Sequence, residues 1–289
     1  MKALLRLGFA LTLLSVWACG DSGDDDQSDD GGNNETEIEI PTGGATSPTS
    51  YDGMTLAWEE NFDGTSLSTQ NWTFETGTGS GGWGNNELQY YRRENTTLQD
   101  GHLVITAKEE SFGSSDYTSS RIISQGKQVY RYGRIDIRAV LPEGQGMWPA
   151  LWMLGNNFNT VGWPACGEID IMEMVGGQNR ENEIHGTVHW DQNGQYANFG
   201  RSTRLNAGQA QNEFNVYSIE WDESSIRWFV NDVQYNVIDT TPSALSEFRN
   251  GFFFIINLAV GGNWPGAPDA TTSFPQHLIV DYIRVFQQN

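Results

Sequence analysis

Hydrophobic and polar residues alternate along most of the chain after residue 51, in short segments separated by Gly, Asn, Asp and Pro. A period of two is typical of β-strands that bury one face, and the 3.6-residue period of amphipathic helices is nearly absent. Tight hairpin turns are predicted at 222–225 and 231–232. Strands are predicted at 102–108, 132–141, 150–154, 168–175, 183–190, 216–221, 226–230, 234–238, 252–260 and 278–286. This pattern indicates one large all-β domain, a sandwich or a barrel.

One predicted strand carries three acids among apolar residues. In a regular strand Glu168 and Asp170 share one face, but Glu173 falls on the apolar face. Burying an unpaired carboxylate there would cost on the order of several kcal/mol. The pattern therefore predicts one extra residue, a β-bulge at Ile171 or Met172, which turns Met172 inward and aligns all three acids. Acidic alternation also occurs on strands that are simply solvated, so this segment alone leaves both interpretations open.

The types of acid in this row suit the hydrolysis of a glycosidic bond. Retention of configuration needs two carboxyl groups about 5–5.5 Å apart. With the bulge, Glu168 and Glu173 take the places of residues four apart on a regular strand, whose Cα atoms are separated by roughly 13 Å. Long Glu side chains at positions 168 and 173 can lean together and close that gap, whereas two shorter Asp side chains could not.

Tryptophan is abundant, and ten of the eleven residues lie after residue 51. Aromatic faces stack on the C–H faces of sugar rings, while nearby polar groups bind the hydroxyls. Trp58, Trp72, Trp221 and Trp228 lie in alternating strands and are predicted to belong to the core. The indoles in polar or Gly-rich surroundings are candidates for a sugar platform: Trp83, Trp148, Trp152, Trp163, Trp190 and Trp264.

The first residues resemble an export signal. Lys2 and Arg6 precede an apolar run to Ala18, which is too short to span a bilayer as a mature helix. Because Cys19 follows directly, the segment resembles a bacterial lipoprotein box, with 1–18 removed and a lipid attached to Cys19. Ordinary cleavage near Ala18 is the alternative. The expected location is the bacterial cell envelope or surface, otherwise the medium.

Residues 19–50 are predicted to be a disordered acidic tether, and 51–289 a single folded domain. Residues 20–50 contain nine acids, no Lys or Arg, and too few apolar side chains to form a core. The whole chain has 37 acids and 16 bases, a net charge of −21. Without the nine tether acids and two signal bases, 28 acids and 14 bases remain, a domain charge of −14.

This acidic balance restricts the possible partners. A domain at −14 is a poor partner for nucleic acid or an anionic polysaccharide and favours a neutral substrate. A membrane is expected to be reached only through a lipid on Cys19, and the protein is expected to be a monomer. Cys166 has no cysteine partner within the domain, and it is interpreted as a small buried side chain rather than a nucleophile.

Six blocks occur in the order found in glycoside hydrolase family 16, and the chain resembles its laminarinase branch, the endo-β-1,3-glucanases. The blocks are WGNNELQYY (83–91), YGRIDIR (132–138), WPALWMLG (148–155), WPACGEIDIME (163–173), NLAVGGNWPG (257–266) and DYIRV (281–285). The resemblance covers residues 55 to 286. It implies a β-jelly roll of two antiparallel sheets with a concave cleft for neutral β-glucan, and a catalytic domain at 51–289.

The resemblance also implies roles for individual residues. Glu168 would be the nucleophile, Glu173 the general acid/base, and Asp170 a residue that orients or shares a proton with Glu168. Trp148, Trp152 and Trp163 would line the glycone subsites, and Asn86 would reach the sugar from a loop. His189 matches a position on the leaving-group side, although a lone His on a strand is also compatible with a satisfied core residue.

No cofactor is implied for catalysis, but a structural Ca²⁺ is. By resemblance its ligands would be the backbone carbonyls of Asn61 and Gly101 with the carboxylate of Asp281. Such hard oxygen ligands suit Ca²⁺, although a single acid is a sparse set. Asn61 replaces the acid usual in the family, and only its carbonyl is implicated.

Two other functions remain as alternatives. The same scaffold serves mixed-linked glucan, agar, carrageenan and xyloglucan. The extra residue after Asp170 argues against the lichenase and xyloglucan branches, and the acidic domain argues against sulfated galactans. Some relatives are β-glucan recognition modules without activity, which typically lose one of the two glutamates, whereas Glu168 and Glu173 are both present here.

Overall fold

Short alternating segments pair into two sheets in the computed structural model, which describes residues 38–289. Within that range the strands are β1 (Met54–Glu60), β2 (Thr73–Glu75), β3 (Gln89–Tyr91), β4 (Thr96–Gln99), β5 (His102–Phe112), β6 (Ser115–Ser119), β7 (Arg121–Ile123), β8 (Val129–Tyr130), β9 (Gly133–Val140), β10 (Met147–Gly155), β11 (Glu168–Glu173), β12 (Glu183–Asp191), β13 (Tyr196–Arg204), β14 (Asn215–Trp221), β15 (Ser225–Val230), β16 (Val233–Asp239), β17 (Phe252–Val260) and β18 (Gln276–Gln288). The helices are single turns or little more: α1 (Phe158–Val161), α2 (Gln209–Asn212), 3₁₀ turns at Arg93–Asn95 and Ser243–Arg249, and an irregular turn at Gly82–Asn86.

The two sheets have different sizes. Ten strands form one sheet, in the order β16-β15-β14-β9-β18-β5-β6-β3, with β1 beside β18 and β4 beside β5. Eight strands form the other, in the order β13-β12-β11-β10-β17-β7-β2, with β8 beside β17. Neighbouring strands in the described part are antiparallel except for β3 and β6, which run parallel. The predicted sandwich of two antiparallel sheets is therefore confirmed.

The hydrophobic core lies between the sheets. Strand β12 shows the reason most clearly, because its residues are alternately buried and half-buried from Glu183 to Asp191. Ile184 and Val188 join the core, while His185 and His189 lie on the opposite, outward face of the eight-stranded sheet. We call this outward face the acidic face, because Glu168 and Glu173 of β11 are also half-buried there.

All ten predicted strands are present, with ends that differ by a few residues. The turn at 231–232 is also confirmed: Asn231 and Asp232 both have positive φ, as a two-residue hairpin between β15 and β16 requires. At 222–225 the amide of Asp222 donates to the carbonyl of Ser225, which closes the hairpin between β14 and β15.

The predicted tether extends too far at its C-terminal end. Residues Ile40–Asn289 form one compact unit. Gly44 bridges to Phe214, and the guanidinium of Arg138 donates to the carbonyl of Ala45 at 2.6 Å. The amide of Ser47 donates to the hydroxyl of Tyr282 at 2.7 Å. This end of the predicted tether is therefore bound to the domain, because buried arginine and tyrosine side chains supply partners that composition does not reveal.

The signal segment, Cys19 and most of the predicted tether lie outside the described residues. Among the residues that are described, no helix has the length and apolar character needed to cross a membrane. Cys166 is buried and unpaired, and burial raises the pKa of its thiol to about 11. A thiol that stays protonated at neutral pH is a poor nucleophile, which agrees with the prediction of a buried structural side chain.

Candidate active site

The predicted bulge is present in β11, and the extra residue is Ile171. Along β10, Leu151 is paired with Met172 but Trp152 is already paired with Asp170, so Ile171 has no partner of its own. The pairing with β12 shifts at the same place. Ile171 and Met172 are both buried in the core. The shift therefore leaves Glu173 on the acidic face with Glu168, as the cost of burying a carboxylate predicts.

A side chain from the other sheet supports the bulge. The indole of Trp228, on β15, donates a hydrogen bond of 2.8 Å to the backbone carbonyl of Asp170. Trp228 is completely buried, and Gly186 on β12 leaves room for it, since a Cβ there would lie 2.5 Å from the indole. A bulge disrupts the regular ladder, so a donor from outside the sheet stabilises the irregular backbone.

The side chains of the three acids lie close together with His189. Nε2 of His189 is 3.0 Å from Oδ2 of Asp170 and 3.6 Å from Oε1 of Glu168. Oδ2 of Asp170 is buried and has no well-aligned hydrogen bond, so this imidazole is its electrostatic partner. Glu173 is near enough to the same charges for Asp170 and His189 to affect its ionisation. The position of His189 beside the acids rules out the core alternative.

Indole N–H groups bind the two outer acids. Nε1 of Trp148 donates to Oε1 of Glu173 at 2.9 Å. The Trp163 side chain hydrogen-bonds to Glu168 and lowers its pKa. Each outer glutamate therefore has its own neutral donor, while the central acid has the imidazole.

Burial raises the pKa of all three acids. Loss of solvent, with the charge of Asp170 adding to it, raises the pKa of Glu168 to about 8, although His189 opposes the shift. Loss of solvent likewise raises the pKa of Asp170 to about 8 and that of Glu173 to about 8. Because like charges share one face, the three groups titrate as a set, and that set retains protons at neutral pH.

The indoles of β10 lie on the same face as the acids. The ring of Trp148 packs edge-on against Trp264 at 5.6 Å. Nε1 of Trp152 donates to Oδ1 of Asn257 at 2.7 Å, which fixes the plane of its ring. Trp163 is 48% exposed, so its ring is open to a ligand. These placements agree with the predicted apolar wall around the acids.

Asn86 lies in the irregular turn at Gly82–Asn86, close to the loop that follows β17. Its side-chain amide donates to Oδ1 of Asn263 at 2.8 Å, and the backbone amide of Asn263 donates to the carbonyl of Asn85. The two loops are thereby joined beside Trp148, whose ring lies so near Gly262 that a Cβ there would be only 3.3 Å from it. Asn86 is thus placed at the edge of the acidic face.

Two of the platform candidates do not offer a free ring face. Trp190 is only 7% exposed and packs against Phe248, so it belongs to the core. Trp83 has the guanidinium of Arg121 over its ring at 4.6 Å, and Gly79 lies close to its indole. Their Gly-rich or polar neighbours suggested exposure, but neighbours in sequence do not determine what packs on a ring. The four predicted core tryptophans, Trp58, Trp72, Trp221 and Trp228, do pack in the core.

Two residues of the site were missed from the sequence. Tyr196, at the start of β13, places its hydroxyl 2.8 Å from Nδ1 of His189. Arg121 lies between Trp83 and Trp152, at 4.6 and 4.9 Å from their rings, and forms an ion pair with Glu75. No local pattern indicates either residue, because β13 is mostly exposed and β7 has only three residues.

The three residues expected to hold calcium belong to the chain around the ten-stranded sheet: Asn61 follows β1, Gly101 precedes β5 and Asp281 lies in β18. A Cβ at Gly101 would lie 3.9 Å from the carbonyl of Asn61 and 3.2 Å from Oδ1 of Asp63, so these two oxygens lie close to Gly101. The carboxylate of Asp281 already pairs with Arg138 and lies 3.6 Å from Nε2 of His102. Oxygen donors suit a Ca²⁺ ion, and Asp63 adds a second acid that was not predicted.

Comparison with known proteins gives a consistent result. The sequence profile "Glycosyl hydrolases family 16" matches residues 84–284. The chain is 40% identical over 246 residues to a beta-glucanase of Rhodothermus marinus, covering 80% of this chain and 85% of the relative. It is 42% identical over 236 residues to the clotting factor G alpha subunit of Tachypleus tridentatus, covering 80% of this chain and about a third (34%) of the relative's length. The catalytic domain of a laminarinase from Thermotoga maritima has a similar structure, with a TM-score of 0.76 and 44% identity, over 82% of this chain and 100% of that one.

Proposed function

The chain belongs to glycosyl hydrolase family 16, and on that premise we propose that it is a retaining endo-β-1,3-glucanase acting on laminarin-type glucans. The observation that carries the proposal is the bulge at Ile171, which brings Glu168 and Glu173 to one outward face beside Trp148 and Trp163. The names of the Rhodothermus and Thermotoga relatives support a β-glucan as the substrate. The acidic surface favours a neutral polymer.

In the first half of the proposed reaction, ionised Glu168 attacks C1 of the sugar and protonated Glu173 gives its proton to the leaving oxygen. Burial raises the pKa of Glu168 to about 8, and Trp163 and His189 oppose that shift, so they favour the ionised form that reacts. The indole of Trp148 binds Oε1 of Glu173, which leaves Oε2 to carry the proton. The raised pKa of Glu173, caused mainly by loss of solvent, keeps that proton available at neutral pH.

In the second half, water releases the sugar from the enzyme. Once Glu168 is esterified, its negative charge is gone, so the pKa of Glu173 falls. Glu173 can then take a proton from the incoming water, which attacks C1 from the face that the leaving group vacated. The cycle uses these side chains and no cofactor, as in other hydrolases of this family.

Product analysis on laminarin, lichenan and agarose tests the proposed substrate. We expect laminarin to be hydrolysed fastest and to give a range of soluble oligosaccharides early, because an endo-acting enzyme cuts within the chain. Lichenan should react more slowly and agarose not at all. Faster hydrolysis of lichenan or agarose would contradict the choice of substrate, and binding of laminarin without any new reducing ends would favour a recognition module.

We also propose a structural Ca²⁺ site formed by the carbonyls of Asn61 and Gly101 with the carboxylate of Asp281. Its support is that the carbonyl of Asn61 and Oδ1 of Asp63 both lie close to Gly101, so Asp63 is a further possible ligand. Arg138 pairs with the Asp281 carboxylate, which an ion would have to share. An ion there would stabilise the ten-stranded sheet without entering the reaction.

Thermal unfolding with and without Ca²⁺ tests this site. At a concentration about 100 times Kd, binding to the folded state adds about 2.7 kcal/mol. For a domain of this size that raises Tm by roughly 5–10 °C. Chelation by EDTA should reverse the shift but leave the activity at 25 °C intact. Asp63→Asn should reduce the shift. Equal Tm values in millimolar Ca²⁺ and in EDTA would show that no such site exists.

We propose further that the protein is exported and attached to the cell envelope through a lipid on Cys19. The support is the basic start, the apolar run and the small residue directly before Cys19. Full-length protein should sediment with membranes and dissolve in detergent, while Cys19→Ala should be soluble. Cys166→Ala is the matched control and should still sediment. If the wild type and Cys19→Ala are equally soluble, ordinary signal cleavage is the better account.

A further inference from the structure

An exposed tyrosine contacts the imidazole that faces the acids. Tyr196 begins β13, at the outer edge of the eight-stranded sheet, and is 51% exposed. Its ring stacks on His189 with centroids 5.7 Å apart at 15°, and lies 5.2 Å from the ring of Trp163. Because Tyr196 stacks on His189, it can influence the orientation and the protonation of that imidazole.

The two nitrogens of His189 have different neighbours. Nδ1 is 2.8 Å from the hydroxyl of Tyr196. Nε2 faces the carboxylates, at 3.0 Å from Asp170 and 3.6 Å from Glu168. The titratable groups around this ring are therefore Glu168, Asp170 and Glu173 on β11 and Tyr196 on β13.

The chemistry of these groups selects one tautomer. In a neutral imidazole one nitrogen carries a proton and the other accepts a hydrogen bond. When Asp170 and Glu168 are ionised, their carboxylates only accept, so they favour a proton on the nitrogen that faces them, although the contact with Asp170 is not well aligned. In that tautomer Nδ1 of His189 accepts, and the tyrosine hydroxyl donates to it. A phenylalanine would leave Nδ1 without a donor.

We propose that Tyr196 is a positioning residue, whose hydroxyl donates to Nδ1 of His189 and so keeps the proton on Nε2, the nitrogen that faces Asp170 and Glu168. The nucleophile Glu168 and its neighbour Asp170 then have an N–H donor beside them when they are ionised. This deepens the proposed function and rests on it, because the benefit is an ionised Glu168 at the start of the reaction.

The simpler alternative is that Tyr196 only offers its ring to a sugar. The exposed faces of Tyr196 and Trp163 fit such stacking. Stacking requires the ring, whereas fixing the tautomer requires the hydroxyl. Tyr196→Phe keeps the ring and removes the hydroxyl, so it separates the two roles, and Tyr196→Leu removes both. Since the side chain lies at an exposed edge, both variants should fold.

Nitrogen NMR of the imidazoles tests the tautomer without any substrate. The His189 signal is identified by its loss in His189→Leu. In the wild type, above the pKa of about 8 of these acids, Nε2 should carry the proton and Nδ1 should have the shift of an acceptor. Tyr196→Phe should give a mixture of both tautomers, while Tyr117→Phe, on the other sheet, should match the wild type. A wild type with the proton on Nδ1 or on both nitrogens, or a Tyr196→Phe spectrum identical to it, would overturn the proposal.

Kinetics on laminarin test the consequence. A donor to an ionised carboxylate lowers its pKa, so losing a well-placed donor should move the acidic limb of the kcat/KM profile upward. From the net strength of one hydrogen bond we expect roughly half to one pH unit, with KM little changed. Tyr196→Leu should in addition raise KM, because the ring is lost.

A double-mutant comparison decides whether Tyr196 acts through His189. In a His189→Leu background, Tyr196→Phe should move the acidic limb no further. An equal shift in both backgrounds would contradict the proposal. If laminarin is not hydrolysed at all but the tautomer responds as expected, the proposed substrate fails while the role of Tyr196 at the imidazole stands.

Discussion

Glu168→Gln and Glu173→Gln should each abolish almost all hydrolysis of laminarin while leaving the fold intact. Gln has the shape of Glu, but it can neither form the glycosyl ester at position 168 nor transfer a proton at position 173. General acid/base catalysis contributes on the order of 10²–10⁴-fold, so Glu173→Gln should lose activity in that range. Glu168→Gln should lose more, since no covalent intermediate can form.

Thermal unfolding provides the control for this experiment. Both acids have a folded pKa of about 8 against an ordinary value of 4.5. The folded state therefore binds more protons than the unfolded chain between these values, and stability falls as pH rises through that window. An uncharged Gln removes this penalty, so both variants should unfold at the wild-type temperature or above it at pH 7.

A matched substitution away from the site completes the comparison. Glu109 is exposed on β5 of the other sheet, so Glu109→Gln should retain wild-type activity. If either Glu168→Gln or Glu173→Gln hydrolysed laminarin at a rate near that of the wild type, the assignment of the acids would be wrong. Loss of activity with a lowered Tm would instead point to damage to the fold.

The presence of a bulge in β11 could be predicted from the sequence, but its position could not. The apolar residues around Glu173 predicted an inserted residue because the alternative buries a charge, and the structure places it at Ile171. From the sequence, Met172 was as suitable as Ile171 for the extra residue, because both are apolar, and both are buried in the structure. Only the pairing with β10 distinguishes them. The supporting hydrogen bond from Trp228 could not be predicted, because it joins strands of different sheets.

The missed elements share a physical cause. Strands such as β2 and β7 have three residues, which is too few for a period of two to be recognised. Strand β13 is mostly exposed along its length, so it lacks the apolar face that marked the others, and Tyr196 was overlooked with it. Residues 43–47 look like a linker in composition, but Arg138 and Tyr282 from distant strands bind them.

Azide should rescue a Glu173→Ala variant on an activated substrate such as 2,4-dinitrophenyl β-laminaribioside. A good leaving group needs no proton donor, so Glu168 can still form the ester. The ester then accumulates, because water lacks its base. Azide needs no base and should restore turnover by orders of magnitude, up to the 10²–10⁴-fold range that a general base supplies. Glu109→Gln should show no response to azide.

The anomeric configuration of the azide product, read by proton NMR, tests the roles of the two glutamates most directly. Azide displaces Glu168 from an α-linked ester, so Glu173→Ala should yield the β-glycosyl azide. In Glu168→Ala the azide takes the place of the nucleophile itself, so that variant should yield the α-glycosyl azide. An α-azide from Glu173→Ala, or a β-azide from Glu168→Ala, would contradict retention with these roles.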